Sequence, residues 1–262
     1  MSDLEHAEGE TADTGQEELQ ARRDEAYWAK NVSRLEVSGL PTGAVNLNVA
    51  GRRLTSPLQG FGKMWQKTYR VKLGDAASAR DVIAAWRQHF PEFWPQGNHF
   101  YGPLTGIAPG DVAVLNLSMP GGMKLSTGVL VLYADEESFT LMTPEGHMLA
   151  GWITFSAFET EGGTVAQAQV LMRANDPFFE VALALGGHRK EDRFWQHTLA
   201  ALARHFDVDT EVEIQTVCVD KSRRWANAKN IRYNSAIRSG VYASGAPLRW
   251  LSKPFKGPGK RN

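Results

Sequence analysis

The chain has 262 residues, 42% hydrophobic and 10% aromatic, enough to build a substantial core in one large or two small domains. Its 29 basic and 29 acidic side chains cancel to a formal net charge of zero, which argues against a dedicated nucleic-acid-binding protein. No apolar run approaches the roughly eighteen residues of a membrane span, the N-terminus is acidic where a signal peptide is basic then apolar, and a single cysteine excludes an intramolecular disulfide or a cysteine-based zinc site, so a cytoplasmic protein is expected.

Residues 1–16 are rich in Glu, Gly and Thr and hold too little apolar surface to offset ordering entropy, so disorder is expected there. A short helix is predicted from Glu17 through Tyr27 and Trp28, and "GLPTGAVNLNVAGRRLTSPLQG" then reads as extended chain broken by turns. The first strand is "KMWQKTYRVKL", in which Trp65, Lys67, Tyr69 and Val71 alternate with Met64, Gln66, Thr68 and Arg70. In "ASARDVIAAWRQHFPEFW", Val82, Ile83, Trp86 and Phe90 recur at helical spacing, with Ser78 as a cap and Pro91 as a stop. After a turn-rich connection, "PQGNHFYGPLTGIAPG", strands are predicted at 112–119, 127–133, 138–143, 151–159 and 164–173, with a sixth at 178–185, the pattern of an antiparallel meander. Ala113, Leu115 and Leu117 make one dry strand face, and Ala166, Ala168, Val170 and Met172 another.

"HRKEDRFWQHTLAALARHF" is a strong amphipathic helix through Trp195, Leu199, Leu202 and Phe206, with Lys190, Glu191 and Arg193 assigned to solvent. "TEVEIQTVCV" alternates as one more strand, where Val217 and Val219 suggest that Cys218 is a buried thiol. A basic helix ending at Gly240 is predicted in "SRRWANAKNIRYNSAIRSG", and the last twenty residues read as an arm. No solenoid or propeller period is visible.

The succession of strand, helix, antiparallel run and long closing helix resembles the helix-grip fold: α+β, a curved antiparallel sheet wrapped around a long helix, here with N- and C-terminal extensions. The residues carrying the resemblance are "YRVKLGDAASARDVIAAWRQHFPEFWP", "LMTPEGHMLAGWITFSAFE" and "RFWQHTLAALARHF". In them the chain is similar to the START-like or SRPBCC superfamily of birch-pollen-allergen-like proteins, lipid-transfer domains and aromatic polyketide cyclases. The resemblance spans roughly 62–207, between an extended segment at 17–61 and a basic extension at 208–262. It implies a cavity between sheet and helix for a hydrophobic or aromatic small molecule. Such a space either fills with side chains or holds a ligand; eight tryptophans favour filling, whereas glycines at 121, 122, 128, 146 and 151 favour bends that open the sheet. Candidate ligand contacts are Trp65, Tyr69, Leu115, Leu117, Tyr133, Trp152 and Met172 on the strands, Trp86, Trp195 and Leu199 on the helices, and His99 and Tyr101 in the connection, where loops tend to carry function.

Glu145 and His147 in "TPEGHMLAGWITF" have the chemistry of an acid–base pair, yet Pro144 and Gly146 mark a hairpin turn. His147 is nonetheless the candidate catalytic residue, because a cavity mouth at this hairpin would place it on the ligand. Arg173, Asn175 and Asp176 read as an exposed turn with an Asx-type bond. His197 and His205 lie eight apart on one helix, too far to share an ion, and no metal site or cofactor is proposed. Zinc-protease, phosphate-loop, nucleophile-elbow and dinucleotide motifs are absent.

The net charge hides a polarity along the chain. Residues 1–25 carry nine acids against Arg22 and Arg23, whereas eleven basic residues and one acid lie from Asp220 onward. Trp225, Tyr233, Tyr242, Trp250 and Phe255 are interleaved with those cations. Two functions are therefore open: binding a hydrophobic small molecule in the grip, with cyclase-like or acid–base catalysis, or an assembly or nucleic-acid-associated role through the basic extension, including homo-oligomerisation.

Overall fold

The alternation of residues 64–74 becomes strand β1 (Met64–Gly74), which turns Tyr69, Val71 and Leu73 into the core and Gln66, Thr68 and Arg70 away from it. This computed structural model describes residues 25–37, 43–102, 106–119 and 122–244. The acidic leader, most of the helix expected from Glu17 and the C-terminal arm lie outside the described residues. Helix α1 (Ala79–His89) starts where Ser78 accepts a hydrogen bond from the Asp81 N–H, buries Val82, Ile83 and Trp86, and passes into a 3-10 turn at Phe90–Phe93 containing Pro91.

A meander follows: β2 (His99–Tyr101), β3 (Val112–Ser118), β4 (Lys124–Ala134), β5 (Ser138–Met142), β6 (Leu149–Thr160) and β7 (Gly163–Ala174). The expected strand at 178–185 is instead helix α2 (Pro177–Ala182), followed by a π-helical turn at Leu183–Gly187. Asp176 caps α2 by accepting from the Phe179 N–H, and Pro177 takes the first helical position; this local start signal outweighs the apolar alternation. The long helix α3 (His188–His205) and an edge strand β8 (Glu213–Asp220) come next. All eight strands form one sheet in the order β2-β3-β4-β5-β6-β7-β1-β8, antiparallel throughout.

This is an α+β helix-grip architecture with α1 and α3 in the concave face. The space between is filled by aromatic side chains: Phe139 stacks on Phe155 at 4.7 Å, Trp86 meets Phe155 at 5.0 Å, and Trp195 lies 5.5 Å from Phe155. On the other face, the segment before β1 packs Leu35 and Val49 against Val114 and Leu130. The expected basic helix is two elements, a 3-10 helix at Trp225–Tyr233 and helix α4 (Ser235–Ser244). Cys218 is half-buried, not fully buried, because β8 is an edge strand with Val217 and Val219 about half exposed.

Candidate functional site

Lys67 sits between Trp65 and Tyr69 on the dry face of β1, and its side chain is only 1% exposed. An ammonium in that position is tolerable only if all three of its N–H groups are met. They are: Nζ donates to Asp192 Oδ1 at 2.7 Å, Glu191 Oε2 at 3.0 Å and the His188 carbonyl at 3.3 Å. Tyr69 adds a hydrogen bond from its hydroxyl to Asp192 Oδ1 at 2.8 Å. All three α3 partners come from its first turn and a half, where Glu191, four residues before Trp195, shares the inward face.

Burial dominates the electrostatics. It pushes the Glu191 carboxyl up to about 7 against the pull of Lys67, and pushes the Tyr69 phenol up, with Glu191 and Asp192 adding to the effect. It also lowers the His188 imidazole, helped by Lys67. Glu191 Oε1 and His188 Nδ1 are buried without a hydrogen-bond partner, as are the indole nitrogens of Trp86 and Trp94. The result is a carboxyl group that exchanges its proton near neutrality, with one oxygen uncommitted and an ammonium fixing the other.

Of the sequence candidates, Trp65, Tyr69, Trp86, Leu115, Leu117, Met172, Trp195 and Leu199 all belong to the core between sheet and helices. The others do not join them. His99 is exposed and stacks on Tyr101 at 5.8 Å, and Tyr101 packs against the outer cluster around Leu35. Tyr133 and Trp152 lie on the outer face, in a cleft of about 410 Å³ lined also by Trp28, Leu132, Thr140 and Thr154. A second cavity of about 190 Å³ is lined by Val45, Leu47, Lys124 and Tyr242.

The "PEGH" segment is a turn with a docking role. Glu145 pairs with Arg53 at 2.6 Å, Gly146 takes a left-handed φ of 85°, and the Ser235 N–H donates to its carbonyl at 2.9 Å. His147 is buried; Nδ1 accepts from the Leu149 N–H at 3.0 Å, and burial lowers the imidazole to about 4. It is remote from the Lys67 cluster in hydrogen bonding, sharing no partner with it. Arg173, Asn175 and Asp176 are fully buried rather than an exposed turn. The reason is the C-terminal segment, which covers them: Arg173 pairs with Asp220, Asn230 Nδ2 donates to the Asn175 carbonyl at 3.0 Å, and Asn234 Nδ2 to Asp176 Oδ2 at 2.8 Å.

Glu191 is likewise turned inward, whereas Lys190 and Arg193 are exposed. Sequence reasoning missed the Lys67–Glu191–Asp192–Tyr69 cluster. Its signal was a lysine on an otherwise apolar strand face and an acid on the apolar stripe of a helix.

No family model matches the chain, and no curated protein matches it. Solved structures do. It is similar to the di-domain aromatase/cyclase StfQ from the steffimycin biosynthetic pathway, at 14% identity and a TM-score of 0.42 over 55% of this chain and 50% of that one, so it spans half the length of that protein. It is similar also to major latex-like protein 151 from Panax ginseng (17% identity, TM-score 0.36, 55% of this chain and 99% of that one). A third is protein NE0264 from Nitrosomonas europaea (15%, TM-score 0.37, 53% and 92%).

Proposed function

We propose that the chain binds a hydrophobic or aromatic small molecule between β1 and α3, and that Glu191 exchanges a proton with it. The observation that carries this reading is the buried Lys67–Glu191 pair on the concave face, with Glu191 Oε1 unpartnered and its proton affinity near neutral. Glu191 in its ionised form takes a proton from a carbon next to a carbonyl, and in its protonated form returns one to the carbonyl oxygen, the exchange that cyclase-like ring closure requires. Lys67 and Asp192 are positioning residues that hold Glu191 and the Tyr69 hydroxyl in place. Because aromatic side chains fill the interior, entry requires α3 to swing. The π-helical turn at Leu183–Gly187, where Leu185 and Gly186 leave helical φ/ψ, provides the hinge.

The test is native mass spectrometry of protein purified from its own host, before and after organic extraction, repeated with Glu191→Gln. A retained small molecule lost on extraction supports the reading, and its identity supplies the substrate for a turnover assay in which the variant falls at least about 100-fold. Absence of any retained molecule, together with no binding of a fluorescent apolar probe, would overturn it.

A further inference from the structure

The helix at Trp225–Tyr233 is a 3-10 helix nine residues long, where such helices seldom run past about four. Its sequence explains the length. Asn227 and Asn230 lie one 3-10 turn apart and therefore on one edge, and both are pinned to backbone carbonyls: Asn227 Nδ2 to Gly60 at 2.9 Å, Asn230 Nδ2 to Gln59 at 2.8 Å. Tyr233, a further turn along, abuts Gly146 through its carbonyl. Pinning that edge fixes the other two. Lys229 and Arg232 share one; Trp225 and Ile231 share the other, 73% and 42% exposed.

Charge along this strip is unbalanced. Lys221 to Ser244 contains six basic residues and no acid. Arg223 is paired with Glu180 at 2.9 Å; among the described residues Lys221, Arg224, Lys229, Arg232 and Arg238 make no salt bridge. Arg52 joins them from the segment before β1. Its guanidinium lies 4.9 Å from the centre of the Tyr233 ring, and that of Arg232 lies 4.7 Å from the same ring. The nearby carboxylate, Glu145, is held by Arg53. Burial lowers the proton affinity of Arg52, with Arg238 adding to the effect and Glu145 and Tyr233 opposing it.

We propose that this strip binds single-stranded nucleic acid, with backbone phosphates along Arg224, Lys229, Arg232 and Arg238 and a base stacked on Trp225. Lys229 and Arg232 lie one 3-10 turn, about 6 Å, apart on one edge, with Arg224 and Arg238 beyond either end and an exposed indole on the neighbouring edge, the combination of electrostatic track and stacking platform that unpaired strands require. Trp225 meets Phe61 edge-on at 5.2 Å, which anchors the indole. The proposal is independent of the site in the grip.

The test is fluorescence anisotropy of a twelve-nucleotide oligouridylate with the full chain. For four phosphate contacts the affinity falls about 50-fold between 50 and 200 mM salt. Arg224→Gln with Lys229→Gln, both exposed and outside the packing, reduces that ratio to about sevenfold. Trp225→Phe weakens binding at least about fivefold. Arg189→Gln with Arg204→Gln, an equal loss of charge on α3, leaves both readouts unchanged. No binding at 50 mM salt would overturn the proposal, as would equal losses from the two charge-removing pairs. Competition by polyglutamate as effective as by the oligonucleotide would assign the strip to an acidic segment such as residues 1–25 and overturn it as well.

Discussion

A lysine side chain held at 1% exposure between an indole and a phenol is costly unless carboxylates meet it, and removing one member of such a set leaves the others buried and unpaired. Lys67→Met is therefore expected to destabilise the fold by about 3–5 kcal/mol in chemical denaturation. Adding Glu191→Leu should restore much of that, since two apolar side chains replace a desolvated pair; a double variant no more stable than the single one would contradict this account. The pH dependence separates two buried groups. Glu191, raised from 4.5 to about 7, keeps its proton in the folded state where the unfolded chain has lost it, so its contribution favours folding at low pH and is lost as pH climbs from about 4.5 to 7.

His147, lowered from 6.5 to about 4, stays neutral when folded, so its contribution is present above 6.5 and is lost as pH falls toward 4. Between pH 5 and 8, Glu191→Gln should gain stability relative to the parent, measured as Tm; a constant difference would place the proton elsewhere. Little of this was legible in advance. The alternation put Lys67 on the apolar face, but Glu191 was assigned to solvent with Lys190 and Arg193, because a charged residue on an amphipathic helix is so commonly solvated that only the meeting of the two elements identifies the pair.

Elements were more legible than sites where the signal was periodic and local. Ser78, the apolar stripe of α1 and Pro91 located that helix, two-residue alternation located β1, β3 and β7, and turn signals set off β4, β5 and β6 between them. The stretch 178–185 went astray because its apolar residues suit either structure, and the deciding Asp176–Pro177 start signal lies just before it. The nine-residue 3-10 helix was not legible as such, since the three-residue spacing of Asn227 and Asn230 has meaning only once the carbonyls of Gln59 and Gly60 are beside it. Asn230→Ala is expected to remove the donor to the Gln59 and Asn175 carbonyls and cost about 1–3 kcal/mol, with increased hydrogen exchange confined largely to 225–244. Gly146→Ala tests the same docking from the other side. A Cβ there would lie 2.0 Å from the Tyr233 carbonyl oxygen at a left-handed φ, so protease cleavage after Arg232 should accelerate strongly while the strands stay protected. Uniform loss of protection would show that the segment and the sheet unfold as one.

At the scale of the whole molecule, the antiparallel run β3 through β7 was expected from the turn signals between its strands, whereas β2 lies in the stretch expected as a connection and the pairing of β7 with β1 was not read from the sequence. The addition of β8 beyond β1 was not legible, because alternation reveals a strand without naming its partner. That addition has a consequence for synthesis. β1 finds its first neighbour, β7, about ninety residues after it ends, and its second only with residues 213–220. At about 5–20 residues per second the ribosome delivers β7 several seconds after β1. A chain interrupted before Glu213 would then carry β1 with one open edge of backbone donors and acceptors, a template for misassembly. Stopping translation after Asp209 is expected to shift most of the product to the insoluble fraction; a soluble, cooperatively melting product would show β8 to be dispensable. β8 thus moves the open edge off β1, which packs on the core, and onto a strand with Glu213 and Asp220 at its ends, a transfer a nascent chain makes only after residue 220 has been added.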